Sequence, residues 1–179
     1  MSRLSAPDRG ALSPDAQAIW DRIAASRSGG TMRGPSSVMM NVPELAGRVM
    51  QVEDFFRTDA ELPAVDRELV ILATVREWGA RFAWARHEAR AREANLRPEA
   101  VEIIRKQGSL DGLSPREESL AELVRTLLRT HELPDQIYQR ALDELGPTQL
   151  VETIALIGNY CTIGLFIKGF EIPEDSPTF

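Results

Sequence analysis

Prolines divide this chain into segments, and that division constrains its fold more than any other feature. Seven of the 11 prolines stand where a run of apolar residues at helical spacing begins. They are Pro14, Pro43, Pro63, Pro98, Pro115, Pro134 and Pro147. Proline suits the first turn of a helix because its missing N–H would be unpaired there in any case. No run has the alternating β-branched pattern of a strand, so the sequence predicts an all-α fold.

The length of 179 residues is typical of one domain with its own core. Apolar spacing predicts helices over 14–26, 43–56, 64–78, 80–94, 98–107, 115–130, 134–145 and 147–170. We expect a loose N-terminal arm at 1–12, a single helical-bundle domain at 13–172 and an irregular tail at 173–179. In the helix at 43–56, the spacing predicts that Leu45, Val49, Val52 and Phe56 face inward.

The charge and hydropathy patterns disfavour several classes of protein. The formal net charge is −6, and Lys and Arg are scattered among acidic residues, which argues against a nucleic-acid partner. No apolar run approaches the roughly 20 residues needed to span a membrane. The N-terminus has no long apolar segment of the kind that directs secretion. We therefore expect no membrane partner and a cytoplasmic location.

The small numbers of cysteine and histidine residues argue against a metal or redox cofactor. Cys161 is the only cysteine, so no intrachain disulfide can form. The two histidines, His87 and His131, are too few for a multi-histidine metal site. His131 follows the predicted helix 115–130, where a basic side chain is favourable at the helix C-terminus.

Two polar residues interrupt the apolar faces of the consecutive helices 64–78 and 80–94. Glu68 shares a face with Leu69, Leu72 and Val75, and His87 shares a face with Ala83 by the same helical spacing. Glutamate and histidine are uncommon on inward faces unless they are paired or used. We expect the two side chains to lie within hydrogen-bond reach, as a catalytic pair or as a structural hydrogen bond.

The residues around this pair resemble the carboxymuconolactone decarboxylase family, which includes the alkylhydroperoxidase D-like proteins. The segments that carry the resemblance are 63–72, with Arg67, Glu68 and Leu69, and 80–91, with Trp84 and His87. Arg33-Gly-Pro35 and Pro43-Glu-Leu-Ala46 give further support upstream. The resemblance implies an all-helical fold of the alkylhydroperoxidase D-like type and a homo-oligomer, a trimer or hexamer.

The chain has two of the four catalytic residues that are typical of the peroxidase branch of the family. Its members have a glutamate, then a Cys-X-X-Cys pair, then a histidine, and Glu68 and His87 stand at the glutamate and histidine positions. Ala80 and Ala83 occupy the two cysteine positions. Peroxide reduction in that branch needs a thiolate that attacks and a second thiol that resolves the product as a disulfide. The sequence therefore argues against a disulfide-based peroxidase.

The decarboxylase branch keeps the histidine without the cysteines, and the resemblance to it implies a lyase acting on a small organic acid or lactone. His87 is the expected proton donor, because histidine exchanges protons near neutral pH, and Glu68 is expected to orient it. Arginines are expected to bind substrate carboxylates, and aromatic rings to form the walls. The substrate-binding residues predicted in this way are Arg33, Arg81, Trp84 and Trp78, with Arg86 and Phe82 as further candidates.

Each of these residues also has an ordinary structural explanation. Arg81 and Arg86 can be solvated surface residues, the tryptophans can belong to the core or a subunit interface, and the Gly- and Ser-rich loop 26–37 that carries Arg33 can be a plain connector. Two other functions therefore stay open. One is an alkylhydroperoxidase-like antioxidant protein that lacks the redox cysteines, and the other is a non-catalytic oligomeric binding protein.

Overall fold

The computed structural model describes residues 2–27, 30–174 and 179. Over these residues the chain forms eight α-helices and one short 3₁₀ turn, with no strand. The helices are α1 (Pro14–Ala25), α2 (Pro35–Met39), α3 (Pro43–Thr58), α4 (Ala64–Glu77), α5 (Arg81–Glu93), α6 (Pro98–Lys106), α7 (Pro115–Thr130) and α8 (Asp135–Gly169). The predicted all-α fold is confirmed.

Local chemistry explains where the helices begin. Prolines occupy the first turn of α1, α2, α3, α6 and α7. The hydroxyl of Ser13 accepts a hydrogen bond from the backbone N–H of Ala16 at the start of α1. At the start of α7, the Glu117 N–H donates to the Ser114 hydroxyl at 3.3 Å and the Ser114 N–H donates to the Glu117 carboxylate at 2.8 Å. Such reciprocal bonds satisfy two amides that a helix end would otherwise leave open.

Helix α8 joins the two segments predicted at 134–145 and 147–170. Gly146 lies inside it with φ 69° and ψ 170°, a backbone conformation that only glycine adopts readily. Pro147 follows and cannot donate to the preceding turn. The two halves are therefore separate helical rods in one element, broken where the sequence predicts.

By length and hydropathy α8 could cross a membrane, whereas the sequence pattern predicted no apolar run of that length. Half of its most apolar window is buried against the other helices, as is common for the core helix of a globular protein. The expected cytoplasmic location stays a prediction.

Helix α4 lies at the centre of the molecule and packs against α5, α6, α7 and α8. Its side chains from Leu69 to Val75 are almost completely shielded from solvent. A helix that is apolar on all sides must be covered on all sides, and α4 satisfies this within one chain. Glu68 stands at the start of this buried run, so α4 carries a carboxylate into the core.

The segment predicted as a loose arm makes specific contacts with the helices. The backbone N–H of Arg3 donates to the Phe170 carbonyl at 2.8 Å, and the Arg9 side chain forms two hydrogen bonds with the Asp21 carboxylate. At the other end, Glu174 pairs with Arg86 on α5. The remainder of the predicted tail, 175–178, and Met1 of the arm lie outside the described residues.

Candidate active site

Glu68 and His87 meet inside the core. The Oε2 atom of Glu68 lies 2.7 Å from Nδ1 of His87, and the two side chains are 3% and 6% exposed. A short turn at 78–80 folds α5 back against α4, so residues on the facing sides of the two helices come together. The predicted proximity of Glu68 and His87 is observed.

A third residue, Tyr160 on α8, completes a hydrogen-bonded chain. Its hydroxyl lies 3.0 Å from Nε2 of His87, and its ring stands edge-on to the imidazole with centroids 5.0 Å apart. Both ring nitrogens of His87 are therefore engaged, Nδ1 by a carboxylate and Nε2 by a phenol. The contact between Nε2 of His87 and the Tyr160 hydroxyl is a path along which a proton can pass between the two side chains.

The charges around this chain set its protonation. Burial alone would raise the pKa of Glu68, but the hydrogen bond from His87 and the charges of His87, Arg67 and Arg90 outweigh it, and the pKa lies below the ordinary value. Burial, with the negative charges of Glu53 and Glu68, raises the pKa of Tyr160 well above its ordinary value. Glu68 is therefore an ionised acceptor, and Tyr160 keeps its hydroxyl proton.

A cavity of about 410 Å³ opens beside His87 and Tyr160. This volume suits a small organic molecule. Phe82, Ala83 and Ile163 supply apolar wall. The charged lining consists of Arg27, Arg33, Arg86, Arg90, Glu53 and Glu174. Counting four arginines against two carboxylates, the lining carries a net charge of +2 with His87 neutral, which favours an anionic ligand.

The segment before α2 and helix α3 contribute a second polar cluster to this cavity. One Arg27 nitrogen donates to the Ser36 hydroxyl at 2.8 Å and to the Glu53 carboxylate at 3.0 Å. These bonds connect the end of α1 with α2 and α3, so Arg27 and Glu53 shape the cavity as a pair. The Arg33 side chain lies at the same cavity, where its Nε donates to the Thr31 hydroxyl at 2.9 Å.

The structure separates the predicted substrate-binding residues into two groups. Arg33 lines the cavity together with His87. Trp84 is fully buried and its indole N–H donates to the Glu88 carboxylate at 2.9 Å, while Arg81 faces a different depression beside Phe179. Trp78 packs against the backbone of α8 at Gly164. Trp84, Arg81 and Trp78 thus lie outside the lining of this cavity.

The other two candidates, Arg86 and Phe82, do line it. The Arg86 guanidinium lies 3.4 Å above the Phe82 ring and pairs with Glu174. The alanines at the family's cysteine positions are buried, and Ala83 contributes to the cavity wall.

The site residues predicted from the sequence do not include Tyr160, Glu53, Arg27 or Arg90. For Tyr160 a signal was present, because Leu156, Tyr160 and Ile163 share one helical face and only the tyrosine has a polar group. Arg90 follows His87 by three residues and so shares its face of α5. Nothing in the local pattern marks Glu53 or Arg27, whose pairing depends on how α1 and α3 pack.

Comparisons with known proteins agree with this architecture. Residues 43–126 match the family model described as the carboxymuconolactone decarboxylase family. No curated protein sequence matches the chain. A solved structure from Ralstonia eutropha, described as an alkylhydroperoxidase AhpD core and an uncharacterized peroxidase-related protein, is similar with a TM-score of 0.79 and 16% identity. The match covers 97% of this chain and 93% of that one.

A second solved structure, from Agrobacterium tumefaciens, is of a protein of unknown function named as a candidate antioxidant defence protein AhpD. It is similar with a TM-score of 0.70 and 18% identity, over 78% of this chain and 96% of that one. At such identities the two structures establish the fold. With the family match they confirm the resemblance: residues 43–126 are similar to the carboxymuconolactone decarboxylase family, and the fold is AhpD-like in a chain that lacks the Cys-X-X-Cys pair.

Proposed function

We propose that this protein is a lyase-type enzyme that transfers a proton to or from a small organic acid or lactone, in the manner of a decarboxylase. The observation that carries the proposal is the buried chain of Glu68, His87 and Tyr160 at the wall of an arginine-lined cavity. Buried polar groups that are linked in this way and open on a cavity are typical of acid–base sites.

The chain of hydrogen bonds gives each residue a role. When the imidazole is protonated, its Nε2–H donates to the Tyr160 oxygen, and the Tyr160 hydroxyl can donate its own proton to the substrate. As carbon dioxide leaves, the electron pair left on carbon takes the Tyr160 proton, and Tyr160 recovers a proton from His87. The imidazole becomes neutral and is recharged from solvent. Glu68 stabilises the imidazolium by charge and fixes its orientation.

This assignment differs from the expectation that His87 donates directly. Both nitrogens of His87 are occupied, so Tyr160 is the better placed group for direct contact with substrate. The arginines of the cavity would hold a carboxylate, and the apolar wall would favour the loss of charge that accompanies decarboxylation.

This protein lacks the pair of cysteine thiols that reduces peroxide in the peroxidase branch of the family. Ala80 and Ala83 cannot attack peroxide, and the single cysteine, Cys161, has no second cysteine in the chain with which to form a disulfide. We therefore expect no peroxide consumption supported by a dithiol reductant. Peroxide turnover that Cys161→Ser abolishes would contradict this expectation.

The proposal is tested by incubating the protein with carboxylated γ-lactones and β-keto acids and following carbon dioxide release. We expect His87→Gln and Tyr160→Phe each to lower the rate by about 10²-fold or more, the usual contribution of a positioned acid or base. His131→Gln is the matched control, because it removes the only other histidine and should leave the rate unchanged. Equal activity of His87→Gln and the unmodified protein would overturn the proposal.

A further inference from the structure

The four arginines of the cavity differ in the charges that face them. Arg27 pairs with Glu53 at 3.0 Å, and Arg86 pairs with Glu174. In each of these pairs a carboxylate from the chain already neutralises the guanidinium. Arg33 is exposed, so water screens its charge. These three arginines are therefore paired with an acid or solvated.

Arg90 is different. It is half-buried on α5, one turn after His87, and it lines the main cavity as well as a small one behind His87 and Tyr160. Within residues 2–27, 30–174 and 179, no hydrogen bond or ion pair engages its guanidinium. A guanidinium has five N–H donors and no acceptor. The guanidinium faces the cavity, so its N–H donors are available to an anion.

The position of Arg90 also fits the reacting groups. Arg90 lines the small cavity together with Glu68 and Tyr160. From there its positive charge lowers the pKa of Glu68 and opposes the rise in the pKa of Tyr160. An oxyanion bound by Arg90 would therefore lie beside the Tyr160 hydroxyl. A planar guanidinium can bind a carboxylate through two parallel hydrogen bonds and so fix its orientation.

We propose that Arg90 is the residue that binds the carboxylate of the ligand and holds it beside Tyr160. This assignment rests on the proposed function, because it concerns the ligand of the same cavity. Glu53 and Glu174 already neutralise the charges of Arg27 and Arg86, and Arg33 would bind from the solvent side. Arg90 alone combines partial burial, a free guanidinium among the described residues and proximity to the Glu68, His87 and Tyr160 chain.

A binding experiment with an unreactive anion tests the assignment without any need for turnover. Malonate is titrated into protein with ¹⁵N- and ¹³C-labelled histidine in a His131→Gln background, so that the signals of His87 stand alone. We expect them to shift in a saturable way. Sodium chloride at the same ionic strength is the control for general screening.

Variants decide which arginine binds. Arg90→Gln should weaken malonate binding by about tenfold or more, while Arg90→Lys should retain part of the affinity because it keeps the charge. Arg81→Gln is the matched control, since that arginine lies outside the cavity lining, and its affinity should be unchanged. Circular dichroism and the His87 signals without malonate show whether Arg90→Gln keeps the native site.

Two outcomes would overturn the assignment. One is an Arg90→Gln variant, natively folded, that binds malonate as tightly as the unmodified protein. The other is a loss of binding in Arg33→Gln with none in Arg90→Gln. If malonate binds through Arg90 and no lactone or keto acid is turned over, the binding assignment stands and the proposed enzymatic function fails. If instead the Arg90→Gln variant turns substrate over with an unchanged KM, the proposed enzymatic function stands and the binding assignment fails.

Discussion

Glu68 and His87 are tolerated in the core because each satisfies the other. An ionised carboxylate without partners would be strongly disfavoured there. The 2.7 Å contact with Nδ1 and the nearby charges of Arg67 and Arg90 compensate for burial and lower the pKa of Glu68. The contact between Glu68 and His87 could be predicted from the sequence, because polar residues on the apolar faces of two packed helices need hydrogen-bond partners.

Stability should depend on pH through Glu68. Because its pKa is lower in the folded chain than the reference value of 4.5, the ionised carboxylate stabilises the fold above about pH 4.5. That contribution is lost as pH falls through the lower, folded pKa. We expect Glu68→Gln to reduce the free energy of unfolding at pH 7 by about 1–3 kcal/mol. Below the folded pKa the difference from the unmodified protein should disappear.

Urea unfolding at several pH values measures this effect. Glu93→Gln, at an exposed position on α5, is the control and should change stability by less than about 0.5 kcal/mol at any pH. A Glu68→Gln penalty that is constant from neutral to acidic pH would show that volume or geometry, rather than the carboxylate charge, is responsible.

The tautomer of His87 is a second prediction at the scale of single residues. An ionised carboxylate can only accept a hydrogen bond, so the neutral imidazole should carry its proton on Nδ1, toward Glu68. Nε2 then accepts from Tyr160. ¹⁵N NMR of histidine-labelled His131→Gln protein reports the protonated nitrogen directly. In Tyr160→Phe the Nε2 signal should move and the Nδ1 proton should stay. A neutral ring protonated on Nε2 would contradict the hydrogen-bonded chain.

At the scale of elements, the segment before α2 is held against α5 by a close contact. Gly34 has φ 68°, and a Cβ placed there would lie 2.1 Å from the nearest atom of the Phe82 ring. Phe82 in turn lies under the Arg86 guanidinium. Gly34 thus positions the adjacent Arg33 at the cavity by allowing the backbone to touch an aromatic ring.

Gly34→Ala should therefore destabilise the fold. Strain at positive φ and the overlap with Phe82 together predict a loss of about 2 kcal/mol or more in the free energy of unfolding. Gly158→Ala is the matched control in helix α8, where a Cβ meets nothing within 4 Å. Alanine there should be neutral or stabilising by about 0.5–1 kcal/mol, because it favours the helix. Equal denaturant midpoints for the two variants would refute the close-contact explanation.

At the scale of the whole molecule, apolar side chains remain uncovered on two helices that contact each other. Val52 and Phe55 on α3 are 44% and 42% exposed, and Val151 and Leu165 on α8 are 68% and 55% exposed. Phe56 is buried as predicted, but the inward orientation predicted for Val52 is wrong, because the neighbouring helices cover the other side of α3. Leu45 is likewise exposed.

We expect these residues to be covered by further copies of the chain, in a trimer or hexamer. Exposed apolar surface of this kind is typical of interfaces between subunits. Analytical ultracentrifugation should give a multiple of the 19.9 kDa chain mass. Val151→Asp should lower that mass, whereas Gln136→Asp, which adds the same charge at an exposed polar position on α8, should not. A mass of one chain at every concentration would show that the protein is a monomer.

The sequence by itself determined the helices other than the short α2, which begins inside the predicted loop 26–37, because helix starts, breaks and apolar periodicity act over a few residues. The proline positions were local signals, and the Ser114 and Glu117 cap and the break at Gly146 likewise involve only residues that are neighbours in the chain. The sequence also determined that Glu68 meets His87, since a short turn between two patterned helices leaves few ways for their inner faces to pack. The family resemblance followed from the same local residues.

Only the tertiary structure decided which other side chains surround the pair. Tyr160 lies 73 residues from His87 in the chain. No local pattern predicts that α8 places the Tyr160 hydroxyl beside Nε2 of His87. The arginines show the same limit, because a guanidinium is solvated, paired or free according to what packs beside it. Arg33 and Arg81 look alike in sequence, yet one reaches the cavity and the other does not. Helix packing sets these distances, and it depends on the whole core.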